Sequence, residues 1–144
     1  PTLLPRLSDI GHSLARRTLA FIGGQGKSGT TWVERLVDAH PQAACLGEGH
    51  FAEAWPGAVA NNRRFPELED FPGIGAGDAA ELVRAGLLLQ FDAIAQRKPD
   101  ALTVAVRTPS ELSWLAELHQ AFPQARFVHV IRDPRDVAVS MWWH

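Results

Sequence analysis

The sequence lacks most of the features that would place it at once in a class. It has one cysteine, Cys45, so no internal disulfide can form, and such a chain suits a reducing compartment and predicts a cytoplasmic protein. No apolar run approaches the roughly 20 residues of a membrane span, and residues 1–17 are too polar for a secretory signal. A formal net charge of −2 gives no global basic field, so neither nucleic acid nor an anionic membrane is expected as a partner.

The length and composition predict one compact domain. The 144 residues, 46% of them hydrophobic, suffice for one core and are too few for two, so residues 1–144 are treated as a single domain. The chain begins at Pro1 and stops at His144 inside an apolar, helix-like stretch, so we expect it to be cut at both ends, which leaves a lost leader or anchor open. Two lysines against twelve arginines favour a bacterial source with a GC-rich genome.

Short apolar runs predict four buried strands, at residues 18–23, 43–46, 102–106 and 126–131. Helical patterns lie between them, and strands that alternate with helices predict an α/β fold, a parallel sheet flanked by helices. Ligands of such sheets bind at the edge where the carboxyl ends of the strands meet. The polar segments that follow the strands should converge there, namely residues 23–31, residues 48–50, Arg107 with Thr108, and Arg132.

Apolar stripes and capping residues predict the helices. The first helix begins at Thr30, and Pro134 behind the N-cap Asp133 starts the last one. Shorter helices are expected at residues 51–60 and after Ser110, and an irregular loop at residues 61–78. The expected buried stripe of the first helix is Trp32, Val33, Leu36 and Val37. Asp78 is expected to cap a helix that ends near Arg97, with a buried stripe of Leu82, Val83, Leu87, Phe91 and Ile94.

A glycine-rich segment joins the first strand to the first helix. Residues 23–32 contain four glycines, and the backbone N–H groups of such a loop can face an anion at the positive end of a helix. The pattern predicts a phosphate site, with a glycine-rich turn that binds nothing as the structural alternative. A Walker P-loop needs a glycine five residues before Gly26, where Phe21 stands, so the pattern of a nucleotide kinase is missed by one residue. The side-chain donors beside the glycines are Lys27, Ser28, Thr30 and Thr31.

The run GKSGTTW, residues 26–32, resembles the 5′-phosphosulfate loop of the sulfotransferase superfamily. The resemblance implies that Lys27 acts at the reacting centre and that Trp32 packs near an adenine, although a core position is the alternative for Trp32. The residues that would bind the 5′-phosphate end of the nucleotide are Gly26, Lys27, Ser28, Gly29, Thr30 and Thr31.

A second segment, IRDPRDVAVSMWWH at residues 131–144, resembles the 3′-phosphate motif of the same superfamily. Arg132 offers a charge-assisted fork, and Ser140, about two turns into the predicted helix, adds a hydroxyl. Two phosphate motifs favour 3′-phosphoadenosine 5′-phosphosulfate over ATP as the ligand. The structural alternative is an ion pair of Arg132 with Asp136 and a buried hydroxyl at Ser140.

The resemblance also bears on the general base and on charge stabilisation. Superfamily members that sulfate small molecules carry a histidine after a lysine-threonine pair, whereas residues 106–109 read VRTP. Branches that act on tyrosine and glycans use a glutamate, which here implies Glu48, with His50 as the second candidate. Ordinary loop roles are the alternative for both. Arg107 stands where the family often has lysine, which implies either stabilisation of the transferring sulfuryl group or a salt bridge.

The resemblance of the two motifs implies a sulfotransferase with a P-loop NTPase-like, three-layer architecture, which we expect to be incomplete at its C-terminus. The predicted reaction moves a sulfuryl group from 3′-phosphoadenosine 5′-phosphosulfate to an acceptor hydroxyl or amine, releases adenosine 3′,5′-bisphosphate and needs no metal. The sequence favours no acceptor among small molecules, glycans, lipids and peptides. A P-loop nucleotide kinase and a non-catalytic nucleotide-binding fragment are the alternative functions.

Overall fold

The computed structural model of the chain describes residues 2–47, 76–107 and 115–143. Four strands and five helices lie within these ranges. In chain order they are α1 (Leu3–Leu14), β1 (Thr18–Gly24), α2 (Thr30–Ala39), β2 (Ala43–Gly47), α3 (Ala76–Arg97), β3 (Thr103–Arg107), α4 (Leu115–Ala121), β4 (Arg126–Val130) and α5 (Pro134–Trp142).

The four strands form one sheet in the order β2-β3-β1-β4, and every pairing is parallel. Arg107, the last residue of β3, lies opposite Ile22 of β1 and Gly47 of β2. The carboxyl ends of the strands therefore share one edge. The predicted parallel α/β sheet is confirmed, and each strand boundary lies within one residue of its prediction.

Side chains alternate between the two faces of the sheet and divide the core in two. On one face Phe21 packs edge-on against Phe91 of α3 and stacks on Phe127, with ring centroids 5.3 Å apart in both pairs. Ile10 and Leu14 of α1 and Leu118 of α4 belong to the same cluster. On the other face Val33 and Val37 of α2 pack against Ala20, Ile22, Cys45 and Ala105. The sheet thus lies between helices, as the three-layer prediction required.

The buried face of α2 differs from its prediction. Val33 and Val37 pack on the sheet, but Trp32 and Leu36 are 67% and 51% exposed. Residues 32 and 36 form a separate i, i+4 row on the helix, which the sheet does not cover, unlike the row of residues 33 and 37. The predicted stripe was therefore too wide.

The start of α3 also differs. The helix already includes Ala76, so Asp78 lies inside it and is not its cap, and the predicted loop does not extend to residue 78. Alanines at positions 76, 79 and 80 favour this earlier start. Leu87, Phe91 and Ile94 are buried as predicted, whereas Leu82 is 43% exposed. Leu82 is five residues before Leu87, a spacing that places it off the buried stripe.

Helix α1 was not predicted from the sequence, although Ile10 and Leu14 have the i, i+4 spacing of a buried helical row. The cap of α5 is confirmed, because Asp133 Oδ1 accepts a 2.9 Å hydrogen bond from the backbone N–H of Arg135. The helix predicted at residues 51–60, residues 61–75 of the loop predicted at 61–78 and the cap at Ser110 lie outside the described residues. Among the helices described, none is long and apolar enough to cross a membrane.

Candidate active site

The loop between β1 and α2 is a tight turn with two left-handed residues. The backbone N–H of Ser28 donates to Gln25 O at 3.0 Å, and Lys27 inside this turn has a φ of 68°. Gly29, with a φ of 101°, precedes the helix. Glycine adopts such a φ without cost, but a lysine there is strained by roughly 1–2 kcal/mol. A strained residue in a glycine-rich loop is typical of a functional site.

The amino end of α2 has no side-chain cap. Its N-cap is Gly29, which provides no side-chain acceptor, and the first helical residues are Thr30 and Thr31. The first N–H groups of a helix have no partners within the helix, and the helix dipole makes this end partly positive. An anion in front of Thr30 would supply the missing acceptor.

A cavity of about 330 Å³ opens at this end of α2. Segments that are far apart in sequence contribute to it, because β1, β3 and β4 all end at this edge of the sheet. Its charged residues are one lysine and two arginines, and no acidic residue lines it in the described part of the chain. The cavity therefore favours an anion. The lining residues are Gly26, Lys27, Gly29, Thr30, Thr31, Arg107 and Arg132.

Arg132 follows β4 and contacts the loop directly. Its Nη1 donates a 3.1 Å hydrogen bond to the carbonyl oxygen of Lys27, and its Nε lies 3.9 Å from Asp136 Oδ2. The ion pair with Asp136 thus exists, but it does not remove Arg132 from the cavity. Through these two contacts Arg132 connects the loop between β1 and α2 to the first turn of α5.

Arg107 ends β3 and is only 4% exposed, although it lines the cavity. Its Nε and Nη2 lie 2.8 Å and 2.7 Å from the same carboxylate oxygen, Oε2 of Glu34 in α2. The salt bridge considered in the sequence analysis is therefore present, and the residue lies at the predicted edge of the sheet as well.

The structure places three other predicted residues away from the cavity lining. Ser28 is 6% exposed, and its Oγ has no hydrogen-bond partner among the described residues. Trp32 is largely exposed, so it is not a core residue, and its predicted contact with adenine stays a prediction. Ser140 is half-buried in α5 and does not line the cavity. Glu48, His50 and Thr108 lie outside the described residues.

Two residues of the site were missed in the sequence. Glu34 is the acidic residue four positions after Thr30, on the row of α2 that faces the sheet, and a carboxylate there needs a cationic partner. Gly47, at the end of β2, leaves the space that the ion pair of Arg107 and Glu34 occupies, since a Cβ there would overlap both side chains. The described residues contain no group of three or more histidine, cysteine, aspartate or glutamate side chains that could hold a metal ion.

Comparison with known sequences assigns the chain to a family. A sequence profile described as the Sulfotransferase family matches residues 20–144, which include every residue that lines the cavity. The chain belongs to the sulfotransferase family. The predicted resemblance to the sulfotransferase superfamily is thereby confirmed.

Individual sulfotransferases of animals are among the similar proteins. A putative protein-tyrosine sulfotransferase of Caenorhabditis briggsae is 28% identical over 130 residues, which cover 85% of this chain and 42% of that protein. Protein-tyrosine sulfotransferase 2 of Gallus gallus is 28% identical over 131 residues, which cover 85% of this chain and 33% of that protein. An uncharacterized protein of Aquifex aeolicus is 23% identical over 142 residues, which cover 97% of this chain and 18% of that protein. The chain therefore spans less than half the length of these relatives.

Proposed function

We propose that the cavity binds 3′-phosphoadenosine 5′-phosphosulfate and that the protein transfers its sulfuryl group to an acceptor hydroxyl or amine. The observation that carries this proposal is the hydrogen bond from Arg132 to the Lys27 carbonyl oxygen, 3.1 Å long. It joins the two motifs that correspond to the two phosphates of this donor. A nucleotide with a single phosphate chain would need only the first of them.

The residues of the cavity suit an anionic donor. The uncapped end of α2, the hydroxyl residues Thr30 and Thr31 and the ammonium group of Lys27 supply donors to a 5′-phosphosulfate. Arg132 supplies a planar fork that suits a phosphate oxygen pair. A volume of about 330 Å³ is at the lower end of the range for small-molecule sites. Ser140 is proposed to assist Arg132 at the 3′-phosphate, and Trp32 to contact the adenine.

The proposed chemistry relies on position and charge. The donor supplies an activated sulfuryl group, whose bond to the bridging oxygen breaks as the acceptor oxygen or nitrogen bonds to sulfur. Lys27 neutralises the charge that develops on the bridging oxygen, and Arg107 does so at the equatorial oxygens. Because Arg107 is held at the end of β3 by its ion pair with Glu34, this cation needs little reorganisation during transfer. Adenosine 3′,5′-bisphosphate then leaves.

The proton of the acceptor needs a base. We assign this role to Glu48, with His50 as the second candidate. Glu48 follows Gly47, the last residue of β2, and Gly47 lies opposite Arg107 in the sheet register. A carboxylate that leaves the sheet beside the cavity would be close to the reacting group.

The acceptor most worth testing is a phenolic hydroxyl. Two of the similar proteins are named as protein-tyrosine sulfotransferases, so a tyrosyl peptide is the first candidate acceptor. Nothing in the described part of the cavity selects between such a peptide and a small phenol.

A transfer assay tests the proposal. The protein is incubated with sulfur-labelled donor and a tyrosyl peptide in EDTA, in parallel with labelled ATP and Mg²⁺. We expect sulfuryl transfer in the chelator and no phosphoryl transfer. Transfer only from ATP, and only with Mg²⁺, would support the nucleotide kinase instead. Nucleotide binding without either transfer would support a non-catalytic nucleotide-binding fragment.

A further inference from the structure

The ion pair of Arg107 and Glu34 is almost fully removed from water. The two side chains are 5% and 16% exposed, and the two contacts that the guanidinium makes with Glu34 end on one oxygen, Oε2. Removing one side of a buried ion pair is strongly destabilising, so Glu34 and Arg107 stabilise each other. An ion pair of this kind holds an arginine in one position.

The sheet and α2 fix the place of this pair. Ala105 faces α2, so Arg107, two residues later in β3, points to the same face. Gly47 lies opposite Arg107, and its missing side chain leaves the passage through which the guanidinium reaches α2. Glu34 lies one helical turn after Thr30, which lines the cavity. Arg107 therefore lines the cavity and is held by Glu34 of α2, the helix that follows the loop after β1.

We propose that Glu34 is a positioning residue that holds Arg107 at the sulfuryl end of the bound donor. This inference rests on the proposed function, because it assumes that the cavity binds the phosphosulfate. Glu34 does not line the cavity, so it acts through Arg107 rather than on the ligand. Its carboxylate also balances the charge of Arg107.

Because one oxygen of Glu34 accepts both hydrogen bonds, its effect on the position of Arg107 can be tested separately from the effect of its charge. Because Nε and Nη2 share Oε2, the amide oxygen of a glutamine could accept both hydrogen bonds in the same place. Glu34→Gln therefore keeps the position of Arg107 and removes the charge, whereas Glu34→Ala removes both. A positioning role predicts that Glu34→Gln rescues what Glu34→Ala loses.

The experiment compares the affinity of the protein for two ligands by calorimetry. One is 3′-phosphoadenosine 5′-phosphosulfate, and the other is adenosine 3′,5′-bisphosphate, which lacks the sulfuryl group. We expect Glu34→Ala to weaken binding of the donor about tenfold more than binding of the bisphosphate, which is the size expected for a lost charge-assisted contact. Glu34→Gln should stay within about threefold of wild type for both ligands. Asp9→Asn, which neutralises an exposed carboxylate on α1, is the control and should change neither affinity.

A double variant tests whether Glu34 acts through Arg107. Arg107→Gln should show the same selective loss for the donor, and Glu34→Ala combined with Arg107→Gln should bind no worse than Arg107→Gln alone. If Glu34→Ala does not fold, Gly47→Ala keeps both charges and displaces the pair, and it should show the selective loss. Gly11→Ala, where a Cβ meets nothing within 4 Å, is its control.

The outcomes distinguish this inference from the proposed function. A wild-type protein that binds neither nucleotide would overturn the proposed function and the inference with it. Wild-type binding with equal losses for both ligands in Glu34→Ala, a Glu34→Gln variant that behaves like Glu34→Ala, or additive losses in the double variant would overturn only the role of Glu34.

Discussion

Arg132 donates to the carbonyl oxygen of Lys27, a contact between residues 105 positions apart in the sequence. The acceptor belongs to the left-handed residue of the phosphate loop, whose φ is 68°. One arginine therefore joins the segment after β4 to the strained residue of the loop after β1. This contact explains how two short motifs at opposite ends of the matched region can form one site.

Replacing Arg132 should affect binding and selectivity together. We expect Arg132→Ala to weaken binding of adenosine 3′,5′-bisphosphate by about tenfold or more, since the guanidinium proposed to bind the 3′-phosphate is lost. The preference of the protein for this nucleotide over AMP should fall as well. Calorimetry with both nucleotides measures this. Arg126→Ala is the control, because Arg126 is exposed at the other end of the same strand. An Arg132→Ala protein that keeps wild-type preference would exclude a role for Arg132 at the 3′-phosphate.

Lys27 should show opposite effects on stability and activity. Lys27→Gly removes a Cβ from a left-handed position, so we expect the free energy of unfolding to rise by about 1 kcal/mol while turnover is lost. Lys27→Ala keeps the Cβ and should lower turnover on the order of 10²–10³ without the gain in stability. Urea unfolding and the transfer assay measure the two effects. A fully active Lys27→Ala enzyme would contradict the assigned role.

Gly24 and Gly11 should respond differently to alanine. A Cβ on Gly24 would overlap the backbone oxygen of Val130 and approach Ser28 Oγ, so Gly24→Ala should destabilise the fold by about 1–3 kcal/mol. Gly11 lies inside α1 with open space around it, and Gly11→Ala should stabilise the fold by about 0.5–1 kcal/mol. Chemical unfolding of both variants measures the two changes in the free energy of unfolding. Equal changes would show that the close contacts at Gly24 do not exclude a side chain there.

The cap of α5 predicts a pH dependence of stability. Side-chain and backbone hydrogen bonds from Arg135 hold the pKa of Asp133 below its ordinary value of 3.8. A lowered pKa in the folded protein means that this stabilisation is present above pH 3.8 and is lost as the pH falls through the lowered value. Asp133→Ser keeps a capping oxygen without a charge. The difference in Tm between wild type and this variant should shrink below pH 3.8, and a constant difference down to strong acid would contradict the prediction.

The sheet and the site could be predicted from the sequence to different extents. The four strands are short apolar runs followed by polar residues, and parallel pairing brings their ends to one edge, so Lys27, Arg107 and Arg132 could be predicted to meet. The partner of Arg107 could not, because Glu34 precedes it by 73 positions and periodicity carries no information on such a pair. The exposure of Trp32 was likewise set by which row of α2 the sheet covers.

The backbone geometry of the loop between β1 and α2 could not be predicted from the sequence either. The glycines predicted a tight loop, but they did not indicate that Lys27 itself takes the left-handed φ. The hydroxyl of Ser28 was grouped with those of Thr30 and Thr31, although only the two threonines line the cavity. The fold decides such differences, since neighbouring residues of a tight loop point in different directions.

The cavity is proposed as a site for a nucleotide with two separate phosphates, and calorimetric titration tests this claim. The purified chain is titrated with adenosine 3′,5′-bisphosphate and, separately, with ADP, with EDTA present in both cases. We predict binding of the bisphosphate and little response to ADP. Equal affinity for the two nucleotides, or no binding of the bisphosphate by folded protein, would contradict the claim.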